Sequence, residues 1–113
     1  MPKAISTAEL VEAMTLPHPP QIIDVRRQPA FDASAHMISA ATWRNPENID
    51  HWMLQLHLNQ NVVLYCVHGH EVSQRCTARL EEAGFDVAFL EGGFEQWAEE
   101  NRPVASKPPG SAS

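Results

Sequence analysis

No apolar run in this 113-residue chain is long enough to cross a bilayer. None follows a charged opening segment in the manner of an export signal, so the expectation is a cytoplasmic chain with no leader and no membrane span. Cysteine is scarce. With Cys66 and Cys76 alone there is no disulfide framework to build, and without an export signal both are expected to be reduced thiols. Basic residues are outnumbered, 8 Lys and Arg against 14 Asp and Glu, for a net charge of -6, and they form no cluster. Nucleic acid and anionic membranes need a basic face, so neither is an expected partner.

What is present suits one globular domain: 43% hydrophobic and 19% charged residues, in a chain long enough to bury a single core. Ser6 and Glu9 have capping-box spacing ahead of Leu10, Val11 and Met14, which predicts a helix ending before Pro17. Pro17, Pro19 and Pro20 force a loop. Residues 21–25 form a short, continuous apolar run, the pattern of a strand covered on both faces. One helical turn over 30–35 turns Phe31 inwards, and 41–43 offers another short strand. Asn45 caps and Pro46 opens a helix that carries Ile49, Trp52, Met53 and Leu56 on one face.

A strand over 62–65 comes next, then a helix over 72–83 closed by Gly84. A strand over 87–90 stops at Gly92-Gly93, and Phe94, Trp97 and Ala98 mark a last short helix. Trp43, Trp52 and Trp97 fall where core or pocket-wall residues belong. The Pro/Gly/Ser-rich end suggests a domain over 1–105 and a flexible tail over 106–113. Strands alternating with amphipathic helices predict an α/β domain with a mainly parallel sheet, whose ligands bind beyond the carboxyl ends of the strands.

Cys66 lies at such an end. An ordinary thiol titrates near about 8.5, so little of it is thiolate at neutral pH. A helix N-terminus favours the charged form and attracts anions. In the short loop over 67–71, Gly69 permits a turn that would aim successive N–H groups inwards as a nest. A reactive thiol with an anion cradle is one reading, and a buried core cysteine is the other. His68 and His70 flank the glycine as proton carriers, as substrate contacts or simply as solvated loop residues. With Cys66 they match no common zinc spacing, so no metal is expected. Cys76, ten residues on and inside the helix, reads as a buried helix residue.

Taken together, these segments resemble the single-domain rhodanese (thiosulfate sulfurtransferase) family over nearly the whole chain. Ile22-Ile23-Asp24-Val25-Arg26 is similar to the family's Asp-Val-Arg strand. Phe31 through Ala40 is similar to its F-x-x-G-H-I-x-G-A segment, and Val63-Leu64-Tyr65-Cys66 with Gly69 to its active-site strand and loop. The most specific stretch is Leu90-Glu91-Gly92-Gly93-Phe94-Glu95-Gln96-Trp97, preceded by Ala83-Gly84-Phe85-Asp86-Val87.

The resemblance implies a three-layer α/β domain with about five short strands and helices on both faces of the sheet. It implies that Cys66 carries a persulfide, taking sulfur from thiosulfate or another small anionic donor and passing it to cyanide or a thiol. A sulfur-relay protein is a possible partner, and no cofactor is needed. Val67, His68, Gly69, His70, Glu71, Val72 and Ser73 would bind substrate, while Asp24 and Arg26 tie loops together or add positive potential.

The sequence also departs from the family. Ala35 and Ser39 stand where the family has glycine, and the distance from Cys66 to Gly84 is one residue longer than in many relatives. A related branch of phosphatases and arsenate reductases has a longer loop with an arginine six residues after the cysteine; here that position is Val72, beside Glu71. Without a guanidinium there is no bidentate phosphate partner, so that chemistry is disfavoured. A non-catalytic binding or sulfur-relay module is the other alternative.

Overall fold

The computed structural model describes residues 2–107. Its central sheet is five-stranded, in the order β1-β6-β5-β2-β4, and every pair in it is parallel. The strands are β1 (Ala4–Ile5), β2 (Gln21–Asp24), β4 (Thr42–Trp43), β5 (Val62–Tyr65) and β6 (Val87–Leu90). The helices α1 (Thr7–Ala13), α2 (Gln28–Ala33), α3 (Ile49–Trp52), α4 (Glu71–Glu82) and α5 (Gly93–Glu99) lie between and after them.

Alternate residues of each buried strand face opposite sides. Ile23, Val62, Leu64 and Val87 pack with Trp52 of α3 and Leu80 of α4. Ile22, Val63, Tyr65 and Leu90 pack with Leu10 of α1 and Trp97 of α5. The chain is therefore the expected three-layer α/β domain. Continuous apolar runs in β2 and β5 follow directly from burial on both faces.

Helix ends follow local chemistry. In the α1 capping box, Glu9 N–H donates to Ser6 Oγ at 3.1 Å, and Ser6 N–H donates to the Glu9 carboxylate at 2.9 Å. At the end of α4, Phe85 N–H donates to Leu80 O and Gly84 N–H to Glu81 O, a Schellman closure with Gly84 at φ +96°. Both ends of α4 fall one residue earlier than the apolar pattern suggests, because that pattern does not register the polar Glu71.

The expected helix from Asn45 is instead a 3-10 turn (Pro46–Asn48), the four-residue α3, and a second 3-10 turn (Met53–Gln55). Its apolar face survives the tighter winding, with Trp52 buried and Ile49, Met53 and Leu56 packed beside it. The strand expected over 41–43 is β4, paired with β2, and a second, antiparallel sheet that was not foreseen pairs β3 (His36–Ile38) with β7 (Val104–Ser106). The boundary placed after 105 consequently falls inside a strand. Lys107 also holds on, its Nζ donating to Phe31 O at 2.7 Å. The rest of the expected tail, 108–113, lies outside the described residues.

Candidate active site

β5 is the middle strand, and its carboxyl end carries the site. Asp24, at the same end of the neighbouring β2, is fully buried and takes a forked pair of bonds from Arg26: Nε at 3.0 Å and Nη2 at 2.6 Å. Arg26 Nη2 also donates to the carbonyl of His36, and the guanidinium lies 4.5 Å from the ring centre of Phe94. Tyr65 donates its hydroxyl to Asp24 at 3.0 Å and accepts from Ile38 N–H at 3.1 Å. Burial, reinforced by the Asp24 carboxylate, holds the Tyr65 phenol well above its ordinary range, so it remains a donor. This network joins β2, β3, β5 and α5 immediately beneath the cysteine loop. Arg26 is only 2% exposed, so its charge is committed to the scaffold.

Cys66 directly follows β5 and is 6% exposed. Val67 to His70 bend without regular hydrogen bonding before α4 opens at Glu71. The loop's shape is set from outside. The first turn of α5 donates to it, Phe94 N–H to Cys66 O at 2.9 Å and Glu95 N–H to Val67 O at 3.0 Å. In a trans peptide, C=O and the next N–H point opposite ways, so the Val67 and His68 N–H groups face away from α5. None of the backbone N–H groups from Val67 to Ser73 has a hydrogen-bond acceptor among the described residues. The cradle is thus half loop and half first turn of α4.

Two glycines make that contact possible. A Cβ on Gly93 would lie 2.6 Å from Cys66 O and 2.5 Å from Val67 O, and one on Gly69 would lie 2.7 Å from Leu90 O. Gly69 also sits at φ +73°, in the left-handed region that favours glycine. Gly93 thus lets α5 press against the cysteine loop, where a side chain would have no room.

The Cys66 Sγ–H donates to Ser73 Oγ at 3.2 Å, and Ser73 is fully buried. A hydroxyl can donate as well as accept, so Ser73 can bond a charged sulfur in the opposite sense. Cys66 is reached through a pocket of about 220 Å³ lined by Arg26, Arg27, Ala30, Val67, His68, His70, Glu71 and Val72. Of the residues singled out from the sequence, Gly69 and Ser73 are buried behind this wall, as is Asp24.

Glu71 points outward. Its side chain is 76% exposed and faces Arg75 at 3.5 Å and Arg27 at 3.9 Å, at the helix end where a carboxylate suits the dipole. Val72 packs into the apolar cluster that includes Cys66 and Trp52. His68 Nε2 lies 2.9 Å from Glu95 Oε2, which ties the loop to α5 once more. Cys76 is buried in α4, and burial pushes its thiol up to about 11. Arg44 bonds Gln55 and is absent from the pocket wall. Among the described residues, no group of three or more His, Cys, Asp or Glu is placed to hold a metal.

Two residues of the pocket wall were not foreseen, Arg27 and Ala30. The signal for Arg27 was its place straight after Asp24-Val25-Arg26. In extended backbone, successive side chains point opposite ways, so an inward Arg26 sends Arg27 out to the pocket mouth.

A parallel α/β sheet with a thiol at the carboxyl end of its middle strand, wrapped by a loop that opens into a helix, defines the rhodanese class of fold. The Rhodanese-like domain model matches residues 6–100, and the chain belongs to that family. It is 36% identical over 100 residues to a protein of Shewanella oneidensis named thiosulfate sulfurtransferase GlpE, covering 88% of this chain and 95% of that one. A protein of Pseudomonas fluorescens with the same name is 38% identical over 77 residues, 67% of this chain and 68% of its own. Among solved structures, a rhodanese-like domain protein from Staphylococcus aureus matches with a TM-score of 0.80 at 26% identity, covering 94% and 99% of the two chains. A full-length protein from Lactobacillus plantarum matches with a TM-score of 0.84, covering 92% and 88%; at 22% identity this is a likeness of fold.

Proposed function

We propose that this protein is a sulfurtransferase that moves a sulfane sulfur from thiosulfate, or another persulfide donor, to cyanide or a thiol through a persulfide on Cys66. The observation that carries this reading is the pairing of a pocket-facing thiol with unpartnered N–H groups from Val67 to Ser73. The names of the relatives from Shewanella and Pseudomonas support the same reaction class.

In the first half-reaction the Cys66 thiolate attacks the outer sulfur of thiosulfate. A new S–S bond forms at Cys66, the S–S bond to the sulfite group breaks, and sulfite leaves with that electron pair. In the second, cyanide or an acceptor thiolate attacks the outer sulfur of the persulfide. The Cys66 thiolate is released, and thiocyanate or a new persulfide departs. The free N–H groups and the Ser73 hydroxyl are the donors for the charge on each of these species. No proton need be removed from a bound substrate, so the site works without a dedicated base. A sulfur-relay protein, presenting its own thiol, is a natural acceptor.

The phosphatase and arsenate reductase branch carries an arginine six residues after the cysteine. Here that position is Val72, which packs beside the core, and the Arg26 guanidinium is bound to Asp24, so the loop itself supplies no guanidinium grip. Covalent transfer through one thiol gives ping-pong kinetics. Steady-state rates at varied thiosulfate and cyanide should give parallel reciprocal plots, and Cys66→Ser should abolish turnover. Intersecting plots, or turnover by Cys66→Ser, would refute the proposal.

A further inference from the structure

We infer that Arg27 is the residue that recognises the charge of the sulfur donor, and that Glu71 is its internal competitor. The inference rests on the sulfurtransferase reading and adds the specificity of its first half-reaction.

Two arginines border the pocket with Cys66, and they are in opposite states. Arg26 is buried and bonded to Asp24 and to His36 O. Arg27 has a side chain 52% exposed, at the pocket mouth. Its ion pair with Glu71 Oε1 is 3.9 Å long, beyond hydrogen-bonding reach, so that pair leaves the guanidinium N–H donors available. The same Glu71 oxygen faces Arg75 at 3.5 Å. A carboxylate oxygen therefore rests between two guanidinium groups at the entrance to the thiol pocket. A sulfonate-like oxygen of a donor anion has the charge and shape to take that place, and a guanidinium fork suits it.

The exchange is easy because both pairs are exposed and weak. It also answers a problem set by composition. A chain of net charge -6 repels a dianion at a distance, so a local cation beside the thiol has most to do when the donor is doubly charged. The outward Glu71 reduces that attraction at rest. It acts on the donor through Arg27 and is a positioning residue.

The test measures thiosulfate binding to Cys66→Ser protein by calorimetry, where no sulfur can be transferred. Adding Arg27→Gln should weaken binding on the order of tenfold, the worth of a charge-assisted hydrogen bond partly exposed to water. Arg27→Lys should recover part of the loss. Glu71→Gln alone should tighten binding by about two- to fivefold, and should have no effect when Arg27→Gln is already present. In otherwise wild-type protein the same changes should appear in KM for thiosulfate, with kcat moving much less. No thiosulfate binding by Cys66→Ser, binding unaffected by Arg27→Gln, or a Glu71→Gln gain that persists without Arg27 would each overturn the inference. Sulfur loading of wild-type Cys66, read separately by intact mass, decides the underlying reading on its own.

Discussion

At the scale of single residues, the site stands on a buried charge held in place by hydrogen bonds. Asp24 is fully buried and serves Arg26 and Tyr65 at once, so it satisfies a cation that is itself 2% exposed. Breaking such a pair from one side costs about 3–5 kcal/mol, because the surviving charge is left without a partner. Asp24→Ala is expected to lose that much in urea melts, whereas Tyr65→Phe should lose about 1–2 kcal/mol, since it removes a neutral hydroxyl. Equal losses would mean that the charge is not the organising element. Gly69→Ala is expected to cost at least about 2 kcal/mol, from a left-handed φ joined to a clash with Leu90 O, and to depress turnover more than stability. A variant as stable and active as the parent would contradict the close packing described for the loop.

Much of this was legible in the residues. Cys66, Gly69 and the Asp24-Val25-Arg26 run sit together, as strand-end chemistry implies. Orientation was not legible. Whether Glu71 faces the thiol or the solvent turns on helix phase, and α4 starts one residue earlier than its apolar pattern suggests. Arg27 was hidden by its neighbour, since two adjacent arginines read alike until backbone alternation separates them.

At the scale of elements, α5 is the strut that shapes the cysteine loop. It donates to Cys66 O and Val67 O from its first turn, and Trp97 fixes its far side by donating Nε1 to Pro103 O at 2.8 Å. Its end is tied to α1: Thr7 Oγ1 donates to Glu100 Oε1 at 2.6 Å, with Gln96 and Arg102 as further donors. Those hydrogen bonds, that from Thr7 first, hold the Glu100 carboxyl down at about 2, against 4.5 for an ordinary glutamate. A depressed native value means that the unfolded chain takes up the proton first. The contribution is full above 4.5 and is lost as pH falls towards 2. Glu100→Gln should therefore lower Tm at neutral pH, with the gap to wild type closing across that acid window. A gap independent of pH would assign the effect to packing. Because Glu100 is exposed, salt should narrow the gap.

The strands missed from sequence were all short. β1, β3 and β7 have two or three residues each, too few for a period of two to show. They also gain their order from partners distant in the chain, β6 for β1 and each other for β3 and β7. Helices with caps, and strands buried on both faces, were legible because their signals are local.

At the scale of the whole molecule, a wholly parallel sheet places every strand's carboxyl end on one edge, and β5 at the centre puts Cys66 between the loops of its neighbours. The fold thereby assembles a thiol, a loop of unpartnered N–H groups, an immobilised Arg26 and an exposed Arg27 from segments far apart in sequence. The second thiol supplies an internal control. Cys76 is buried and held protonated at neutral pH, so reagents and donors that reach Cys66 should leave it untouched. The central claim is that Cys66 carries the transferred sulfur, and intact-mass measurement followed by peptide mapping after exposure to thiosulfate tests it most directly. The account predicts a gain of one sulfur atom, located at Cys66, removed by cyanide, and absent from Cys66→Ser. No added sulfur, or sulfur found on Cys76 instead, would contradict it.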